Sequence, residues 1–366
     1  MTNIIDYLKW RGDLLFESVP FCDVDALILS QLSYTRMSGI VGESFLGQRT
    51  TIGEMAEIAL AEKTRLKQVD EDEELWQAVK DSPRFRDLQL TGYVDRFDVA
   101  SEKQFSAVTV LLPGNVAVVV YRGTDLTIVG WKEDFNMSFS DCVPAQLEGV
   151  AYIEAAAKAL PARQLYVCGH SKGGNLAVYA SAFCCEEVQN RILAVRNFDG
   201  PGFSEENVAT DGMKRVLART KTFLPQSSVV GMLLEHEEDF TIIHSRTLGL
   251  LQHDLYTWEI VGPGFVIEEE RTSSSQFIDT TLKAWLKSMP KSKREDFVEA
   301  VFSILDDCEV VTLKELFSGK NAVAVMKNLT QMEDDERMLI QEGLAILRKS
   351  MKHTLPIKMN RESTEQ

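Results

Sequence analysis

Leu165-Tyr166-Val167-Cys168 runs into Gly169-His170-Ser171-Lys172-Gly173-Gly174, and Asn175-Leu176-Ala177-Val178 follows. This stretch decides the fold. Its first four residues are apolar and strand-prone, its centre fits G-x-S-x-G, and its end opens a helix pattern over Gly173–Glu187. A serine between glycines at a strand-to-helix junction is a nucleophile elbow. So sharp a reversal forces Ser171 into a strained backbone conformation, and Gly169 and Gly173 let strand and helix approach without side-chain clash. The helix then aims its N-terminal amides at the reacting centre, where negative charge develops. Without that context the motif would equally describe a glycine-rich turn holding an idle serine.

Working outward, Leu90–Asp98, Phe105–Leu112, Val116–Arg122, Gln164–Cys168 and Ile192–Phe198 read as strands, rich in β-branched and aromatic residues. Pro113-Gly114-Asn115 predicts a hairpin turn. Thr220–Leu224 and Phe240–His244 are two further strands. Helices over Ala145–Leu160 and Gly173–Glu187 alternate with strands, which predicts crossover units and a mostly parallel sheet. Residues 1–85 read as mostly helical, with runs at Asp25–Tyr34 and Ile52–Lys63. The acidic run Asp70–Glu74 reads as a solvated helix start. After Gly264 the pattern becomes amphipathic helices, among them Gln276–Ser288, Arg294–Leu305 and Asp335–Lys352. The expected organisation is an α/β body over residues 1–265, including a helical segment over 1–85, and a helical domain over 266–366.

The chain has 366 residues and a net charge of −16. Residues 266–366 hold 15 basic and 18 acidic side chains, so most of the acidic excess lies in the first 265. An acidic chain argues against a nucleic-acid surface, because phosphate neutralisation needs clustered Lys and Arg. Val108–Tyr121, the most apolar stretch, is broken at Pro113, well short of the about 18 apolar residues of a membrane span. The six cysteines, at 22, 142, 168, 184, 185 and 308, are scattered and form no CxxC pair. With no leader pattern at the N-terminus, they read as free thiols of a cytoplasmic protein. No H-E-x-x-H or similar cluster calls for a metal, and no cofactor is expected.

A serine hydroxyl needs a base, and the base an orienting acid. There are five histidines. His170 lies inside the elbow, His236 in an acidic run, and His353 near the C-terminus. His253, following the last strand in Leu251-Gln252-His253-Asp254-Leu255, is the favoured base, with His244 as runner-up. Asp199 ends the strand directly after the elbow helix, where catalytic groups of open α/β sheets sit, and is the favoured acid. Asp239 is the alternative acid. Asp254 is too close to His253 in sequence to pair productively. The oxyanion donors are expected to be the amide of Lys172, directly after the nucleophile, and that of Thr124, after the strand Val116–Tyr121.

Tyr121-Arg122-Gly123-Thr124, then Trp131 and Asp134, then Gly169–Gly174, together resemble the class 3 or fungal-type lipases of the α/β-hydrolase fold. The resemblance spans about residues 105–262. The whole chain resembles a bacterial family of cytosolic α/β-hydrolase-fold proteins with such a core. Two departures concern the site. Lys172 stands where these lipases usually carry Leu, which implies a cation beside the oxyanion hole or a lysine snorkelling to solvent. The family's usual acid position falls in Thr222–Ser228, which has no carboxylate; Asp199 resembles the arrangement of lipases similar to pancreatic lipase, one strand earlier. The resemblance also places a lid at Leu126–Phe139, where Ile128, Trp131 and Phe135 would share a helix face toward substrate or core. Met232, Leu233 and Leu234 are apolar residues for an acyl pocket or for plain core.

Together these readings predict a serine hydrolase that cleaves a small-molecule or lipid ester, or a thioester, through an acyl-enzyme. The alternative is an inactive α/β-hydrolase-fold protein acting as a binding or scaffolding module, with the helical tail as its interaction surface. Oligomeric state and substrate are not legible.

Overall fold

In the computed structural model the run Val116–Tyr121 lies near the middle of an eight-stranded sheet. Residues 2–98, 100–124, 142–232 and 240–306 are described, with short stretches at 132–133, 136–137, 140, 234, 236, 337–338, 340–342 and 345–346. The strands lie side by side in chain order: β1 (Thr50–Thr51), β2 (Gln89–Asp98), β3 (Lys103–Leu112), β4 (Val116–Tyr121), β5 (Gln164–His170), β6 (Ile192–Phe198), β7 (Thr220–Pro225) and β8 (Phe240–Ile243). β1 through β4 pair antiparallel, and β4 through β8 pair parallel, so four of the seven pairings are parallel. The sheet is the mixed, mostly parallel one expected, and the fold is that of an α/β-hydrolase. The loop Pro113-Gly114-Asn115 turns β3 into β4, with Gly114 and Asn115 both at positive φ.

Alternation along β4 shows why its sequence is apolar throughout. Val118 and Val120 face one core, while Ala117, Val119 and Tyr121 face the other. A strand covered on both faces needs apolar residues at every position. The first core is closed by the N-terminal helices α1 (Ile4–Arg11), α2 (Asp23–Leu32), α3 (Ile52–Ala61) and α4 (Val69–Asp81). The second is closed by α5 (Pro144–Ala159) and α6 (Lys172–Phe183). Arg84 fastens the N-terminal segment: its guanidinium donates to both Asp25 oxygens and to the carbonyls of Leu14, Val19 and Pro20. Both side chains are fully buried, and such a pair holds only when its hydrogen bonds are satisfied in this way.

Two sequence expectations shift. The elbow helix stops at Phe183 rather than Glu187, because Cys184 turns to an extended conformation before a short helix over Glu186–Gln189. The acidic start of α4 is only partly solvated. Asp72 is buried and accepts from the amides of Lys67 and Gln68, from Gln31 Nε2 and from Tyr256 Oη. Its carboxylate therefore ties α4 to α2 and to the loop that follows β8.

By its contacts the chain divides into two units, residues 1–125 with 141–271, and residues 126–140 with 272–366. The first contains the sheet. In the second, helices Ser273–Ser288 and Lys291–Asp306 meet through Trp285 and Phe297, whose rings lie 5.5 Å apart. Lys132 forms an ion pair with Glu299 in the same unit. The helix expected over Asp335–Lys352 falls mostly outside the described residues. Among the described residues no helix is long and apolar enough to cross a membrane.

Candidate active site

β5 ends at His170, Ser171 takes φ 58° and ψ −134°, and α6 begins at Lys172. A serine at positive φ is strained, and such strain persists only where surrounding structure over-determines it. Here the Ser171 amide donates to Phe198 O at 2.9 Å, and its carbonyl accepts from Gly174 at 2.8 Å. A Cβ on Gly173 would overlap the carbonyl oxygen of Tyr121, and one on Gly169 would overlap the backbone of Gly173. The two glycines are thus the condition for β4, β5 and α6 to meet at this point.

β6 delivers Asp199 directly after Phe198, at φ 51°, with its amide bonded to Phe223 O. Aspartate tolerates this left-handed conformation better than most side chains. Its carboxylate is 1% exposed. Oδ2 lies 2.6 Å from His253 Nδ1, and Oδ1 accepts from Ser228 Oγ at 2.5 Å. His253 ends a short 3-10 turn, Gly249–His253, and its side chain is 26% exposed. Because a carboxylate only accepts, Nδ1 of His253 carries the hydrogen in this pair, which leaves Nε2 as the basic nitrogen. Asp254 turns elsewhere and caps the next turn by accepting from the Tyr256 amide.

His170 is fully engaged. Its Nδ1 lies 2.8 Å from Tyr34 Oη, its Nε2 lies 2.9 Å from His253 O, and its ring centroid is 4.4 Å from that of His253. Burial holds its pKa well below the usual 6.5, with the charges of His253 and Lys67 acting in the same direction. His244, the runner-up base, is occupied at the end of β8 by Glu268, 2.6 Å from Nδ1, and by Glu259. His236 contacts the carbonyl of Gly231. Asp239, Trp131, Asp134, Leu233 and His353 lie outside the described residues, as do Ile128 and Phe135 of the expected lid; Lys132, Glu133, Asn136 and Met137 of that segment are described.

Thr124 follows β4 and is buried, and Lys172 is the first residue of α6. The Lys172 side chain corrects the expectation of snorkelling. It is 1% exposed, and Nζ donates to the backbone and side-chain oxygens of Gln104 on β3, at 2.9 and 3.0 Å. Arg122, between β4 and Thr124, makes a two-pronged pair with Asp95. Among the described residues no group of three His, Cys, Asp or Glu side chains is arranged to hold a metal. Sequence reasoning missed Ser228 and Tyr34. Ser228 lay in the segment read only for its lack of a carboxylate; it supplies a hydroxyl to the acid instead.

An eight-stranded sheet whose parallel half carries a serine elbow, with an Asp–His pair from the following strand ends, defines an α/β-hydrolase-fold protein. The chain belongs to the Mbeg1-like family, which matches residues 79–303. Several solved structures are similar. A fungal lipase in complex with an inhibitor shares 13% identity over 61% of this chain and 78% of its own, with a TM-score of 0.39. The Rhizomucor miehei lipase propeptide complex shares 15% over 60% of this chain and 66% of its own, also at 0.39. A mutant form of MDLA from Penicillium cyclopium shares 11% over 66% and 82%, at 0.38. No curated protein sequence matches the chain.

Proposed function

We propose that this protein is a serine hydrolase that cleaves a carboxylic ester or thioester through an acyl-enzyme. The observation that carries this reading is the 2.6 Å contact between His253 Nδ1 and the buried carboxylate of Asp199, beside a serine held at positive φ. A structural histidine gains little from a buried anion whose second oxygen is already bonded to Ser228. A general base gains its tautomer and a partner for the imidazolium that forms. In the proposed reaction Ser171 Oγ attacks the carbonyl carbon, and His253 Nε2 takes its proton. The amides of Thr124 and Lys172 hold the oxyanion of the tetrahedral intermediate. Collapse expels the alcohol or thiol, which receives the proton from His253. Water then repeats the sequence on the acyl-serine and releases the acid.

Asp199 is the acid in this reading, although the class 3 pattern takes its acid one strand later. The Ser228 hydroxyl, from that later position, supports the carboxylate from its far side. The buried thiols of Cys168 and Cys184, each donating to a backbone carbonyl, suit the reducing compartment expected from the cysteine pattern. The test is covalent: a small fluorophosphonate should label the folded protein at Ser171, found by peptide mass, and Ser171→Ala should be blank. An unlabelled wild-type protein, with probes small enough to pass any obstruction, would favour the scaffolding alternative.

A further inference from the structure

His170 is buried beside the proposed nucleophile, yet it takes no part in the proton transfers described above. Its hydrogen bonds define what it does. Nε2 faces the carbonyl oxygen of His253, which only accepts, so Nε2 carries the hydrogen. Nδ1 then presents a lone pair, and Tyr34 Oη donates to it. Tyr34 follows α2 in the N-terminal segment, so a directed chain runs from that segment through the elbow residue to the backbone of the proposed base. A second tie acts on the same loop: Tyr256, three residues beyond His253, donates to Asp72 of α4 at 2.6 Å.

We infer that His170, oriented by Tyr34, is a positioning residue that pins the backbone carbonyl of His253 and so holds the His253 ring against Asp199. This deepens the hydrolase reading and rests on it. The physical need is plain. His253 ends a one-turn 3-10 segment in which Leu251 is largely exposed. Buried Gln252 anchors that turn through Ser227, Thr247 and Trp258, and the bond from His170 fixes the next carbonyl, that of His253 itself. A displacement of about 1 Å at a catalytic group lowers turnover by roughly a hundredfold. The pin must also stay neutral, because a charged ring 4.4 Å from His253 would oppose the imidazolium formed in the reaction. The groups facing His170 fit that requirement: Tyr34 from the N-terminal segment, His253 from the loop after β8, and Lys67, whose ammonium lies 3.8 Å from the Tyr34 ring centroid.

The experiment uses the full-length protein and three variants: Tyr34→Phe, which removes one oxygen, His170→Phe, which removes the donor, and His170→Gln, which restores a donor. Two readouts are taken on samples shown folded by thermal melting. One is kcat and KM on a short nitrophenyl ester. The other is the low-field proton resonance of the His253–Asp199 hydrogen bond, assigned by its absence in His253→Gln. The expected result is a fall in kcat of at least about tenfold in Tyr34→Phe and His170→Phe with KM within about twofold. The resonance should broaden or vanish in both, and His170→Gln should recover part of each signal. If both readouts are unchanged in folded Tyr34→Phe and His170→Phe, or if His170→Gln is no better than His170→Phe, the pinning role is overturned and His170 is packing. If the resonance responds as expected but no variant, Ser171→Ala included, alters ester turnover, the pin stands and the hydrolase reading falls.

Discussion

Asp199 and His253 meet at 2.6 Å across 54 residues of chain, the carboxylate buried and the imidazole open to solvent on one side. That asymmetry suits their proposed roles. An acid that only orients and stabilises can be fully enclosed, whereas a base must reach a substrate that arrives from outside.

The first prediction tests the constellation directly. Ser171→Ala should abolish ester turnover. His253→Ala and Asp199→Asn should each lower kcat on the order of 10³-fold or more, the scale seen when members of such triads are removed. Ser228→Ala should have a smaller effect, because it removes one of two partners and leaves the carboxylate bonded to His253. Single-turnover kinetics on a nitrophenyl ester measures all four. Near-normal turnover in Asp199→Asn would move the acid role to another residue, with Asp239 first in line.

The second prediction separates the two histidines that follow β8. His244 is held between Glu268 and Glu259, so neither ring nitrogen is oriented by Asp199. His244→Gln should keep kcat within about threefold of wild type while His253→Gln loses it, since partly exposed pairs of this kind contribute little and neither glutamate is part of the proposed triad. The reverse ranking would reassign the base.

The third prediction concerns the elbow glycines. A methyl group at Gly173 would overlap the carbonyl oxygen of Tyr121, a backbone atom in the middle of the sheet that has no room to yield. Gly173→Ala should therefore destabilise the protein by about 3 kcal/mol or more, at or above the upper end for overpacked cores. Gly114→Ala, where a Cβ would meet open space at positive φ, should cost only about 1–2 kcal/mol. Urea denaturation of both variants gives the comparison.

How much of this was legible in the sequence follows from the range of each interaction. β4 was readable because a strand buried on both faces writes an unbroken apolar run, β5 and β6 from the shorter apolar runs Leu165–Cys168 and Ile192–Val195, and Ser171 because its glycines sit two residues either side. Asp199 and His253 were found as strand-end residues, from topology rather than contact. Tyr34, which reaches His170 across 136 residues, left no local pattern at all. Lys172 could be placed only as a cation near the site, since its anchor, Gln104, lies 68 residues earlier on an antiparallel strand. Asp72 looked like any helix-start carboxylate because the tyrosine that claims it is 184 residues away.

The fourth prediction is a pH dependence of stability. His170 is buried and its pKa is lowered well below 6.5, so near neutral pH it is uncharged in both folded and unfolded chains. As pH falls below about 6.5 the unfolded chain binds a proton that the folded one refuses, and stability drops. The slope from this one group reaches up to about 1.4 kcal/mol per pH unit until the folded pKa is passed. Between pH 6.5 and 5, urea midpoints should fall for wild type and fall less for His170→Gln, which has nothing to titrate there. Equal slopes would mean that His170 is protonated in the folded protein.

The last prediction sets the serine apart from the cysteines. Burial pushes the thiols of Cys168 and Cys184 up to about 12 and that of Cys22 up to about 11, so none supplies appreciable thiolate near neutrality. Cys185 is exposed. Iodoacetamide at pH 8 should therefore modify Cys185 quickly in the folded protein and leave Cys168 and Cys184 untouched until urea is added. Ester turnover should survive that modification, because Cys185 opens a short helix at the far end of α6 from Ser171. Loss of turnover in step with alkylation of Cys168, at the end of the elbow strand, would instead point to a thiol in the reaction and against Ser171 as the nucleophile.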